Sequence, residues 1–274
     1  MTETRQERDY VLGTHDDEIE RLALQNRVWR ARAHDAWRRA GITVGQTVLD
    51  VGCGPGYASL DLAENVGPEG RVVALDRSRR FLDALAAAQQ QRGLTNITAY
   101  ELDLDEDPLP AVRADASWSR WVFAFVKRPR ALVERVAGVL KPGGTIIMHE
   151  YVDYATWRIT PRNAEFEGFV QAVIRQWRKS GGEPDIAMDL PRWLEELGFD
   201  IRSLTPIVDI VTPANFIWQW PRTFLDVGLK RMIELGELSR DQARAITESF
   251  AELEKKPGTR MMLPTVLEII ATRK

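Results

Sequence analysis

The sequence predicts an α/β domain built on a mostly parallel sheet with helices on both faces. The first observation behind this is that short apolar, strand-like runs alternate with amphipathic helical runs between residues 47 and 151. The second is the stretch TVLDVGCGPG at 47–56, an apolar strand that reaches an acid, Asp50, and then breaks into Gly52, Gly54 and Gly56. The third is composition: 274 residues with 44% apolar content suffice for one large domain, and no internal repeat or low-complexity tract divides the chain.

In chain order, residues 1–7 are polar, and Tyr10 to Gly13 form an apolar patch before a helix signal with Thr14 as its N-cap. Leu22, Leu24, Val28, Trp29, Ala33 and Trp37 then fall at helical spacing until Gly41, so residues 1–40 read as a helical cover. The first strand has apolar side chains on both faces, as burial under two helical layers requires. A helix at 57–64 follows the glycines, with its N-terminus facing the space they open. Further strands are expected at 71–75, 97–102, 114–125 and 145–149, with helices at 81–92 and 130–140, the last ending at Pro142-Gly143-Gly144. Beyond Tyr151 the pattern gives helices at 164–179 and 189–197, a sixth strand at 201–211 and a last one at 265–272. Between those two strands lies Pro213 to Gly258, about 45 residues with helical stretches at 216–235 and 239–255, far more than a hairpin loop needs. The segments 155–198 and 213–258 therefore read as helical substrate caps on a domain spanning 41–274.

A glycine turn after a strand, with an acid some 20 residues later, describes a nucleotide-type site. A dinucleotide fingerprint would place its third glycine after two spacers. Here the spacing is Gly52-x-Gly54-x-Gly56 with Tyr57 next, which serves a pyrophosphate poorly. The segment instead resembles the S-adenosylmethionine site of class I methyltransferases, and the resemblance continues at matching intervals from Thr47 to about Tyr151. It implies a Rossmann-like, seven-stranded, mostly parallel sheet with an antiparallel last strand, and S-adenosyl-L-methionine as cofactor. It implies that Asp50 and the loop of Gly52, Cys53, Gly54 and Gly56 hold the methionine half. Asp76 would take the ribose hydroxyls, Arg77 would pack along the adenine, and Asp103 with Leu104 would form the adenine pair. A helical preface across the cofactor mouth would bring Tyr10, Arg21 and Gln25 to the ligand, against the plainer reading of a helix that only covers the sheet.

In open α/β sheets ligands sit beyond the carboxyl ends of the strands, so residues after the fourth and fifth strands should face the methyl group. His149, Glu150 and Tyr151 are the catalytic or substrate-orienting candidates. An imidazole titrates near neutrality, but His149 also shares a strand face with Ile147, as a packed core residue would. Glu150 reads as a base, an amine ligand or a loop carboxylate, and Tyr151 as wall or participant. Arg120 is a candidate for the cofactor's carboxylate or an anionic substrate, with a surface ion pair as the alternative. Trp121, Tyr154 and Trp218 are the candidate substrate walls in a chain with nine tryptophans, pointing to an apolar or aromatic small molecule methylated at O, N or C. His15 and His34 sit on the N-terminal helices without an evident role.

The rival functions are a nicotinamide-dependent oxidoreductase, which would need a Tyr/Lys relay that the chain lacks after strand five, and a non-catalytic ligand-binding or partner protein. A formal charge of −3 gives no footprint for nucleic acid, and the single cysteine excludes an intramolecular disulfide and a multi-cysteine zinc site. No metal ligand set is read. No apolar run reaches the roughly 18 residues of a membrane helix and no signal peptide is evident, so no membrane partner is expected and the cytoplasm is the expected location. The apolar runs at 216–218 and 261–263 mark a possible homodimer contact.

Overall fold

The computed structural model describes residues 16–274; Tyr10, Thr14 and His15 lie outside the described residues. Helix α1 (Asp16–Ala40) is one continuous 25-residue helix. It buries Leu24, Trp29, Ala33, Ala36 and Trp37 along one face, places Arg38 and Arg39 at its negative end and stops at Gly41 with φ 81°. Strand β1 (Thr47–Val51), helix α2 (Tyr57–Val66), β2 (Arg71–Asp76), α3 (Arg79–Gln91), β3 (Ile97–Glu101), β4 (Ala114–Arg120), α4 (Pro129–Val139) and β5 (Leu140–Asp153) complete the strand-helix alternation. After these come β6 (Arg158–Thr160), α5 (Ala164–Lys179), α6 (Leu190–Glu196), β7 (Phe199–Ile207), β8 (Ile210–Val211), α7 (Gln219–Glu234), α8 (Arg240–Lys255), β9 (Arg260–Met262) and β10 (Thr265–Arg273).

Seven strands form the main sheet in the order β3-β2-β1-β4-β5-β10-β7. All run parallel except β10, which pairs antiparallel with both neighbours. This is the expected Rossmann-like sheet with an antiparallel last strand. Alternate side chains feed two core clusters: Leu49, Val51, Val73, Leu75, Ile146 and Met148 enter one, while Val48, Val72, Ala74 and Ile147 enter the other. The strand order reverses between β1 and β4, so the turns after these two strands diverge and open a crevice. Among the described residues no helix is long and apolar enough to cross a membrane.

Several expected elements are redrawn. The fourth strand stops at Arg120 rather than 125, because Trp121 adopts φ 53° and the amides beyond it leave the sheet. The fifth strand is longer at both ends; its ladder with β4 shifts between Ala114 and Ala116, so the Pro142-Gly143-Gly144 segment bulges within the strand instead of preceding it. The sixth strand divides into β7 at the edge of the main sheet and β8, which joins β6 and β9 in a three-stranded antiparallel sheet. That small sheet was not legible, since its strands are two or three residues long. It also absorbs the apolar run at 261–263: Met261 and Leu263 are buried, as is Trp218, leaving Phe216 exposed from the two runs read as a dimer contact.

Candidate active site

The carboxyl ends of β1 to β5, together with α1, α5 and α7, enclose a cavity of about 1980 Å³. A drug-sized ligand site occupies roughly 300–1,000 Å³, so this cavity has room for two small molecules side by side.

At one end the chain leaves β1 through three glycines, all with positive φ, which do different things. A Cβ on Gly52 would lie 2.5 Å from Val122 Cγ2, and one on Gly56 only 2.3 Å from Leu85 Cδ1. Gly56 is therefore required by the packing of α3 against the start of α2 and does not line the cavity, whereas Gly52, Cys53 and Gly54 do. Gly54, at φ 55°, faces open space, with only Leu22 Cδ1 at 4.0 Å. Its amide donates to Asp76 Oδ2 at 2.8 Å, and the Ser78 amide donates to Asp76 Oδ1 at 2.8 Å. Asp76 is thus locked at the end of β2, and burial raises its pKa. Asp50 is buried beneath the loop and accepts a 2.5 Å hydrogen bond from Ser59 Oγ; burial pushes its pKa up to about 7 against that bond. Burial likewise lifts the Cys53 thiol well above its ordinary value, which removes it from thiolate chemistry. Arg77, Asp103 and Leu104 line the same end. Asp103 Oδ1 accepts from the Asp105 amide at 2.8 Å, while its own amide donates to Asp107 Oδ2 at 2.7 Å, so the turn after β3 is internally tied.

Arg120, at the end of β4, lines the cavity between the two ends. Its Nη2 donates to Asn26 Oδ1 at 3.2 Å, while its buried Nη1 has no hydrogen-bond partner among the described residues. Burial lowers its pKa to about 10, opposed by the charge of Asp50.

The other end is aromatic. Trp121 stacks on Tyr151 (centroids 5.3 Å, planes 14° apart) and on Trp220 (5.2 Å, 12°), and Tyr154 meets Tyr151 edge-on at 4.9 Å. Trp177 closes the group, 5.3 Å from Tyr154 and stacked on Phe125 at 4.4 Å. Gln25, on α1, accepts from Trp220 Nε1 and from Arg21 Nη1, each at 3.1 Å, and so ties α1 to α7 across the mouth. Arg21 is buried and paired in bidentate fashion with Glu18, both bonds 2.7 Å long.

Glu150 and His149 lie behind this wall rather than on it; neither lines the cavity. The Glu150 carboxylate accepts from the amides of Val122 (2.7 Å), Phe123 (3.0 Å) and Ala124 (3.4 Å), which pins the turn that turns Trp121 inward. Such a left-handed tryptophan costs about 1–3 kcal/mol, and the pinned amides hold it in place. Burial raises the Glu150 pKa to about 7 despite those donors. His149 is fully buried, with Nε2 3.1 Å from Glu268 Oε2 and its ring 4.9 Å from that of Trp118. Burial lowers its pKa although the Glu268 carboxylate works against it, and Arg39 covers Glu268 from outside. The expected strand-end histidine facing the site is a core residue because β5 continues past it to Asp153. Trp218 also misses the cavity: its indole donates to Glu254 Oε1 at 2.7 Å, and Trp220, two residues on, takes the wall position. Sequence reading did not single out Tyr57, directly after the glycine turn, or Gln176 and Phe224, on helices far along the chain, all of which line the cavity.

A methyltransferase-domain family profile matches residues 48–144. An uncharacterized methyltransferase from Mycobacterium bovis is 30% identical over 186 residues, covering 65% of this chain and 88% of that protein. A demethylmenaquinone methyltransferase from Lactococcus lactis is 26% identical over 199 residues, 70% of this chain and 76% of that one. An uncharacterized 37.1 kDa protein from a transposon of Streptomyces fradiae is 28% identical over 175 residues, 62% of this chain, which spans about half (48%) of that protein's length. Among solved structures, coclaurine N-methyltransferase bound to N-methylheliamine and S-adenosylhomocysteine has the same fold, with a TM-score of 0.55 at 17% identity over 89% of this chain and 72% of that one. With its sheet topology and its glycine turn, the chain belongs to the class I S-adenosylmethionine-dependent methyltransferases.

Proposed function

We propose that this enzyme methylates a planar, ring-bearing small molecule held against Trp121, Trp220 and Tyr151, with its cofactor in the cradle at the ends of β1 to β3. The observation that carries the reading is that one cavity runs without interruption from Gly54 and Asp76 to the stacked rings. The cradle residues fit an adenosylmethionine. Gly54 leaves backbone-lined space, Arg120 Nη1 is a buried donor suited to a carboxylate, and Asp50 offers an opposite charge for the ammonium. Asp76 takes the ribose hydroxyls with its remaining lone pairs, and Arg77, Asp103 and Leu104 flank the adenine.

The cofactor, when bound, supplies an electrophilic methyl group for in-line displacement. The protein's contribution is alignment, exclusion of water and aromatic faces that favour cationic charge. With His149 and Glu150 behind the wall, an acceptor whose nucleophile ionises readily, such as a phenol or a hydroquinone, suits the site best. The Lactococcus relative is named for a quinone, also a ring-bearing acceptor. The segments 155–198 and 213–258 act as the substrate cap, contributing Trp157, Trp177, Trp220 and Phe224 to the cavity. The test is transfer of labelled methyl from adenosylmethionine to matched sets of phenols, hydroquinones, aromatic amines and aliphatic acids. Product confined to the ring-bearing sets is expected, and product from the aliphatic acids alone would contradict the reading.

A further inference from the structure

Helix α5 buries an almost wholly apolar face, with Phe166, Phe169, Val170, Val173 and Trp177 inside it, yet Gln176 is buried there too, at 8% exposure, and lines the cavity. A primary amide in such a place is normally satisfied on both atoms. Here Nε2 makes one long contact, 3.4 Å to Ser180 Oγ, and Oε1 is buried with no hydrogen-bond partner among the described residues. The orientation of the amide follows from its neighbour. Ser180 Oγ gives its proton to the main-chain carbonyl of Gln176 at 2.9 Å, so it presents a lone pair to the side chain and can be met only by the NH₂ end. Oε1 is left as an acceptor.

Its surroundings are rigid. Trp177, the next residue, donates its indole N–H to Ala124 O at 2.8 Å and packs edge-on to Tyr154. A Cβ on Gly182 would come within 2.6 Å of Trp177 Cδ1, so the indole beside Gln176 packs directly on the Gly182 backbone. An unmet buried acceptor costs stability, and a site built around one discriminates against molecules without a matching donor.

Resting on the aromatic-acceptor reading above, we propose that Gln176 is a specificity-determining residue: its Oε1 receives a hydrogen bond from a hydroxyl or N–H on the ring-bearing methyl acceptor. The enzyme then selects aromatic molecules that carry a free donor over their alkylated or unsubstituted analogues.

Equilibrium dialysis of the full chain, saturated with adenosylhomocysteine, against 1-naphthol and 1-methoxynaphthalene tests this. Wild type should bind the naphthol about tenfold or more tightly. Gln176→Leu should bind both alike, and Gln176→Glu, which keeps an acceptor, should retain the preference. Equal binding of the two by wild type, or a preference that survives in Gln176→Leu, would overturn the inference while leaving the aromatic acceptor standing. So would a tenfold loss of adenosylhomocysteine affinity in Gln176→Leu with the naphthol preference intact, since the amide would then serve the cofactor. Should neither ring compound bind, the aromatic-acceptor reading itself fails and this inference with it.

Discussion

The two ends of the cavity are built on different principles. The end at β1 to β3 is made of backbone and carboxylates: Gly54, Asp76 and the tied turn at Asp103 to Asp107, all close to strand ends and held by amide hydrogen bonds of 2.7–2.8 Å. The end at β4 and β5 is made of rings from α5, α7 and the strand termini, held by stacking and by one buried carboxylate behind them. A cradle fixed by short local bonds suits a constant ligand. A wall assembled from distant side chains can be recut for a new acceptor without disturbing the sheet.

This contrast can be broken first at the glycines. Gly56→Ala forces a Cβ to within 2.3 Å of Leu85 at a positive φ, so we expect about 2–4 kcal/mol of lost stability, read as a fall in denaturant midpoint. Gly54→Ala meets open space and should cost only about 1 kcal/mol of backbone strain while its methyl group intrudes on the cradle, so its main effect should be on cofactor affinity. If the two variants lose equal stability, the division of labour between the glycines is wrong.

Next in size, Asp76→Ala should weaken adenosylhomocysteine binding by about 1–3 kcal/mol in calorimetric titration. Unchanged affinity would remove Asp76 from the cradle. At the other end, Trp121→Phe should raise the acceptor KM by about tenfold, from the thinned ring stack, with adenosylhomocysteine affinity held within about twofold. A parallel loss of both would mean that the two ends do not act independently.

A separate prediction concerns pH. Glu150 holds its proton up to about pH 7 when folded, but an unfolded glutamate releases it near 4.3. Between those values the folded state binds more protons, so this group's contribution to stability is full below about pH 4 and is lost as pH rises through about 7. Glu150→Gln removes the titration, and its stability curve should lack that decline relative to wild type across pH 4–7. Curves that stay parallel would show that Glu150 does not titrate in this range.

What the sequence revealed follows the same division. The strand, the acid and the glycine spacing at 47–56 are contiguous, so the turn after the first strand could be read directly, and the seven-stranded sheet followed from the family resemblance those residues carry. Arg120, Trp121, Tyr151 and Tyr154 could be placed because they end strands whose neighbours were recognisable. Trp218 and Trp220 both lie in the expected lid, and spacing alone did not tell which of two tryptophans two residues apart reaches the cavity. Gln176 gave no signal, as nothing local distinguishes a polar residue facing a cavity from one facing water. His149 and Glu150 misled because strand ends were read from apolar runs, and β5 carries buried polar residues beyond its apolar run.

The account rests on adenosylmethionine occupying the glycine end of this cavity and leaving the ring-lined end open to an acceptor. The most direct measurement is a crystal structure of the protein with adenosylhomocysteine. It should show the nucleoside between Asp76 and Asp103, the amino-acid tail at Gly54 and Arg120, and unfilled space against Trp121 and Trp220. Density for the ligand on the ring wall, or a cradle closed by the protein's own side chains, would contradict it.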